Sequence, residues 1–135
     1  MARKLLALLA GVLTAIIVIG IIEYIAHLLY APTVPPDRSN PEAMRAFIAA
    51  MPAGAFLLIL LAYAAGTFVG GVVAGRIARS TAWRHAGSIG GLILLFALMN
   101  IVVLPHPLWF TVSAIIVMPL MAALARAVGV PKSSA

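Results

Sequence analysis

Four apolar runs, each close to the length of a bilayer crossing, leave this chain little choice of fold. They are Leu5–Leu29, Ala53–Ala74, Ala86–Leu104 and Leu108–Val128, of 25, 22, 19 and 21 residues. A helix needs about 20 apolar residues to cross the hydrocarbon core. Lipid offers the backbone no hydrogen bonds, so segments of this length satisfy their own as helices. The 135 residues are 64% hydrophobic and 9% charged, whereas a soluble domain carries about 25% charged residues. A soluble globule of this size could not hide so much apolar surface. The expected fold is an all-α integral membrane four-transmembrane-helix bundle, one domain over residues 1–135.

Arg3 and Lys4 before the first run resemble the start of a signal peptide. The run that follows is too long for a signal h-region of about 7–15 residues, so it reads as a retained span. Between the first two runs lies APTVPPDRSNPEAMRAFIAAMP. Its proline-rich start, Ala31 to Pro36, is expected to be extended. Ser39 or Asn40 can then cap a helix, Pro41 suits its first turn, and Glu42 favours the positive end of its dipole. Met44, Phe47, Ile48 and Met51 follow at i, i+3, i+4 and i+7 on one face. A short amphipathic helix over about 41–51 is expected, lying on the outer membrane surface or packed as a loop helix on the bundle.

The formal net charge is +6. In a soluble chain that would suggest nucleic acid; here the basic residues flank the spans, which implies the lipid bilayer as partner and no nucleic acid. Arg3 and Lys4 precede the first span. Arg76, Arg79 and Arg84 lie between the second and third, and Arg126 and Lys132 end the chain. Around the helix at 41–51, Asp37, Arg38, Glu42 and Arg45 cancel, and Pro105-His106-Pro107 has no Lys or Arg. The excess falls on one side, which predicts a multi-pass protein with both termini in the cytoplasm. Arg76, Arg79 and Arg84 could also hold anionic lipid head groups. His85 is expected to be solvated. Cysteine is absent, which excludes disulfides, thiol catalysis and thiolate metal sites.

Association of helices in lipid depends on close backbone contact. Ala62, Gly66, Gly70 and Ala74 recur every four residues in the second span, with Gly71 and Gly75 in a second row. Ala7, Gly11 and Ala15 have the same spacing in the first span, and Gly87 and Gly91 in the third. These rows predict tight crossings with the second span central; the alternative is that the glycines line a conduit. Pro119 removes a helical hydrogen bond from the fourth span and leaves the Ile115 carbonyl without its usual donor, so a kink is expected.

Glu23 is the one carboxylate between Lys4 and Asp37, and it lies inside the first span. Translocon-insertion scales put a charged residue at a helix centre at about 2.5–3.5 kcal/mol, so such a residue is a functional candidate by default. His27 lies one turn later on the same face. Glu23 is about 9 Å of helix rise from the outer end of its span. Asn100, His106 and Ser113 fall in the same outer layer. The cytoplasmic half offers Thr14, Thr67 and Ser88, none of them ionisable. A carboxylate beside an imidazole can relay protons, bind a cation or hold a metal, and His106 would complete a two-histidine, one-carboxylate set. It can also be a structural pair with Asn100 or Ser113 as partner. The PHP sequence makes a stiff turn; it either anchors Trp109 and Phe110 at the interface, as Tyr24 and Tyr30 would on the first span, or holds His106 over Glu23.

The motifs E-Y-I-A-H-L-L-Y-A-P (Glu23–Pro32), D-x-x-x-P-E-A (Asp37–Ala43), the glycine row of the second span and N-x-x-x-L-P-H-P-x-W-F (Asn100–Phe110) touch most of the chain. In these the chain resembles small four-span proteins of bacterial inner membranes. The resemblance implies a bacterial inner-membrane location and carries no activity and no functional residues. No nucleophile elbow or metalloprotease spacing occurs. The expected function is non-enzymatic: an accessory subunit or a small oligomeric transporter or channel. Two alternatives are proton- or cation-coupled transport centred on Glu23 and His27, and an outer-side metal site of Glu23, His27 and His106. So small a bundle has little interior for a path, which suggests a homo-oligomer or a larger complex.

Overall fold

The computed structural model describes residues 2–30, 32, 36–37, 39–78, 82–103 and 106–129, with side chains for all of these except 82–86. Five helices are present: α1 (Ala2–Tyr30), α2 (Pro41–Ala50), α3 (Ala53–Ala78), α4 (Ala82–Val103) and α5 (Leu108–Gly129). α1, α3 and α5 are long and apolar enough to cross a membrane, and α4 contributes a shorter apolar stretch, Gly87–Val103. The chain therefore has three to four helices able to span, the pattern of a multi-pass membrane protein. α1 and α3 extend beyond their apolar runs at the ends that carry Arg3, Lys4 and Arg76. The helical hydrogen-bond ladder does not stop where the hydropathy does. The expected extended segment at Ala31 to Pro36, the solvated His85, Arg79 and Lys132, the Arg84 side chain and the Pro105 half of the PHP turn lie largely or wholly outside the described residues.

α3 is the centre of the bundle. It packs on α1, α4 and α5, whereas α1 and α4 barely touch. At one end the Arg3 side-chain Nε donates to the Ile77 carbonyl at 2.8 Å, which ties the start of α1 to the end of α3. The two helices are thus antiparallel. Their contact is made by small residues: Ala7, Gly11 and Ala15 of α1 are buried, as are Ala62, Gly66, Gly70 and Ala74 of α3. A Cβ on Gly11 would stand 2.7 Å from the Ala74 Cβ and 2.8 Å from the Gly70 oxygen. One on Gly66 would stand 2.6 Å from Ile19 Cγ1. Neither position has room for a side chain. Gly71 and Gly75 are buried on α3 as well, and Gly75 sits beside the Gly129 backbone of α5.

α4 departs from its expected packing. A Cβ on Gly87 or Gly91 would meet nothing within 4 Å, while one on Gly90 would stand 2.5 Å from the Ala122 Cβ of α5. The close crossing of α4 on α5 is therefore at Gly90. Gly87 and Gly91 instead line a cavity with Pro119 and Arg126. The reason is rotation: α4 turns Ile89, Ile93 and Ala97 into the core, and a residue one position away from an expected contact points about 100° elsewhere. α5 remains one helix through Pro119.

α2 begins with Asn40, whose side chain accepts from the Glu42 and Ala43 backbone N–H groups at 2.9 and 3.2 Å. Pro41 fills the first helical position. Ser39 has a different task. Its backbone N–H and its hydroxyl both donate to Asp37 Oδ1, at 2.9 and 2.6 Å. These bonds favour the ionised form and hold the Asp37 carboxyl below the ordinary carboxylate range. No Cα of α2 comes within 8 Å of another helix. It reaches the bundle through side chains, with Ile48 buried against Phe56 of α3 and Phe110 of α5, and Phe47 and Met51 beside them.

Candidate functional site

The helix ends nearest α2 carry most of the polar residues of the apolar segments. Glu23 lies seven residues before the end of α1, about 10 Å of helix rise. Antiparallel packing sets this part of α1 beside the first turns of α3, where Ala55 and Ile59 follow one another on one face. Between them, below α2, is a cavity of about 210 Å³. Its wall holds Glu23, His27 and Tyr30 from α1, with Phe47 and Met51 of α2 and Ile59 of α3 completing it. The Tyr30 side chain rests on Gly54, where any Cβ would collide with its hydroxyl. That contact closes one edge. Among the described residues no hydrogen bond joins Glu23 to His27. Both side chains are exposed on the surface of the chain as well as lining the cavity.

Tyr63, one turn beyond Ile59 on α3, is half-buried, and its side chain lines a groove together with Asn100 of α4. Ile59, one turn before it, lines the cavity wall with Glu23. Three helices thus bring a carboxylate, a phenol and an amide into one layer. Sequence reasoning placed Glu23 and Asn100 in that layer and missed Tyr63 between them. A signal for it existed. Tyrosine in a membrane helix belongs at the interface, and Tyr63 is ten residues into α3, about 15 Å along it, too deep for an aromatic belt.

His106 and Ser113 are placed elsewhere. His106 stacks on Phe110, with ring centroids 5.1 Å apart and planes 21° from parallel. It meets the edge of Phe56 at 5.9 Å. Trp109 adds two further edge contacts, to Phe56 and Phe110 at 6.1 Å. The PHP turn therefore seats His106 in an aromatic cluster at the start of α5. Ser113, half-buried one turn after Trp109, lines neither the cavity below α2 nor the groove that Tyr63 borders. Among the described residues, which include Glu23, His27 and His106, no group of three His, Asp or Glu side chains is close enough to hold a metal ion. This corrects the expected two-histidine, one-carboxylate set: the imidazole that would complete it is packed between phenyl rings. What the arrangement offers is a carboxylate and an imidazole on the wall of a small, mostly apolar cavity, with a phenol–amide pair adjoining the carboxylate.

One buried polar group lies apart from this layer. The Thr67 hydroxyl on α3 is fully buried and has no hydrogen-bond partner.

Comparison with known proteins brings no match: no protein-family model, no curated protein and no solved structure is similar to this chain.

Proposed function

We propose that the chain is a non-enzymatic protein of the bacterial inner membrane with four spans, and that it works as a subunit, either of a homo-oligomer or of a larger membrane complex. The observation that carries this reading is the position of Glu23. A carboxylate within a membrane helix normally faces the bundle interior or a water-filled cavity. Glu23 lines the small cavity below α2 on one side but is also exposed on the surface of the single chain, about 10 Å inside the end of α1. α1 is bound to α3 along one side only, and large side chains such as Ile17, Ile21, Tyr24 and Leu28 remain outside. A neighbour laid against this face would cover Glu23. The tight α1–α3 contact at Gly11, Gly66 and Gly70 supports the same reading, because it leaves no route between those helices for a solute.

The orientation rests on charge. Arg3, Lys4, Arg76 and Arg126 lie at one end of their helices, and Arg79, Arg84 and Lys132 belong to the same side of the chain order. The positive-inside rule makes that side cytoplasmic. α2 then lies at the outer surface, with its buried Ile48 turned to the bundle and its charged residues turned away.

The test uses the absence of cysteine. A single Tyr24→Cys variant, oxidised in native membranes, should form a disulfide-linked dimer, and mild-detergent extraction should give an assembly larger than one chain. Monomers only, in both measurements, would sink the subunit reading.

A second reading, proton or cation transport centred on Glu23 and His27, is favoured by their shared cavity wall. Reconstituted vesicles should then show a flux that Glu23→Gln abolishes. Equal flux in the variant, or none in the original protein, counts against it.

A further inference from the structure

Tyr63 and Asn100 also close one end of a second cavity, separate from the one below α2. Because α1 and α4 both pack on α3 but barely touch each other, a groove of about 310 Å³ remains between them. Val12, Ile16 and Ile19 form its α1 wall, and Ile93 and Phe96 stand on its α4 wall. Along α4 it runs from Ile89 to Asn100, a rise of about 16 Å. Ile19 lies across Gly66, one turn from Tyr63, so the polar groups are gathered at one end and the rest is hydrocarbon.

This is the composition of a small-molecule site: a concave, mostly apolar space of about 300 Å³ or more, with few polar groups that converge. We propose that the groove binds a membrane-dissolved amphiphile, its apolar tail between α1 and α4 and its hydrogen-bonding head at Tyr63 and Asn100. The phenol and the amide between them supply donors and an acceptor, so a hydroxyl or carbonyl head finds a partner in either sense. A helix of a second copy fits less well. With side chains a helix is about 10 Å across, so along 16 Å it would need several times the volume of the groove. An amphiphile reaches the groove sideways from the bilayer and needs no opening of the bundle.

The probe is a long-chain alcohol with a diazirine on its tail, photolysed in vesicles containing the full chain, with labelled residues located by mass spectrometry. Ile16, Ile19 and Phe96 should be labelled in preference to Leu5, Leu9 and Leu13, which face outward without lining the groove. Ile16→Trp, at a position 61% exposed and so able to accept the larger ring without disturbing the core, should fill the groove and remove the preference. Tyr63→Phe should lower groove labelling about two- to tenfold, the effect of one lost hydrogen bond. The corresponding alkane, lacking the hydroxyl, should show no preference. Labelling of the groove no stronger than that of Leu9 and Leu13 would overturn the proposal. So would equal labelling by the alkane, or a disulfide between copies in a Phe96→Cys variant, which would mean that a second chain occupies the groove.

Discussion

Gly70 of α3 lies so close to Gly11 of α1 that a Cβ on Gly70 would stand 2.6 Å from the Gly11 carbonyl oxygen. The obstacle is backbone, which cannot swing aside. Gly70→Ala should therefore push α1 away from α3 and cost about 1–3 kcal/mol, the range for overpacking. Gly91→Ala is the control, since its Cβ would meet nothing within 4 Å. It should be neutral or gain up to about 1 kcal/mol from the better helix former. Unfolding of both variants in mixed micelles with increasing denaturing detergent checks this, and equal effects would refute the assigned contact.

Thr67 is expected to be a site of easy stabilisation. Its hydroxyl is fully buried and unpartnered, and an unmet hydroxyl away from water is unfavourable. Thr67→Val keeps the shape and removes the polar atom, so stability should rise by about 1 kcal/mol. A loss of stability in the same unfolding measurement would mean that the hydroxyl has a partner in the membrane.

α2 should be the first element to open. It has no backbone contact with the other helices and is held by Ile48 between Phe56 and Phe110. Ile48→Ala should weaken its docking by about 2–4 kcal/mol, the usual range for a truncated core aliphatic. Hydrogen exchange should then quicken across Pro41–Ala50 and stay unchanged in α1 and α3. Uniform quickening across all helices would contradict this account.

Asp37 should titrate below an ordinary aspartate because Ser39 donates two hydrogen bonds to it. A depressed folded-state pKa means that the turn is favoured while the carboxylate is ionised. That contribution is present above the unfolded-state pKa and is lost as pH falls through the folded-state value. Ser39→Ala should raise the Asp37 pKa toward its ordinary value. Carbon-13 detected titration of the carboxyl checks the shift, and an unchanged pKa would mean that the hydroxyl bond is absent in solution.

Much of the architecture is legible in the chain because its causes are local. Runs of 19 to 25 apolar residues have no stable form in lipid except a helix, and the start of α2 is written in Asn40-Pro41-Glu42. The inner face of α4 is a different matter. A soluble helix marks its buried side with an apolar stripe, but beyond Gly87 only Ser88 and Asn100 of α4 are polar, too few to mark a side. The spacing of Gly87 and Gly91 named a face without showing that it was the packed one, and the packed glycine is Gly90. Which of its two expected placements His106 takes was open for a related reason. Its stiff PHP setting was plain, but the destination of the turn depended on Phe56, fifty residues earlier.

The sequence by itself determined that this chain is helical and built for a membrane, how many long apolar segments it has, and that Glu23 is costly where it stands. Tertiary structure decided what surrounds Glu23: a cavity below α2 whose wall it shares with His27, Tyr63 of α3 one turn beyond that wall, and His106 in another cluster. Lipid is as apolar as a helix core, so hydropathy sets which segments enter the membrane and leaves their rotation open. That rotation is set by fit between surfaces, here by where Gly11, Gly66, Gly70 and Gly90 let one backbone approach another.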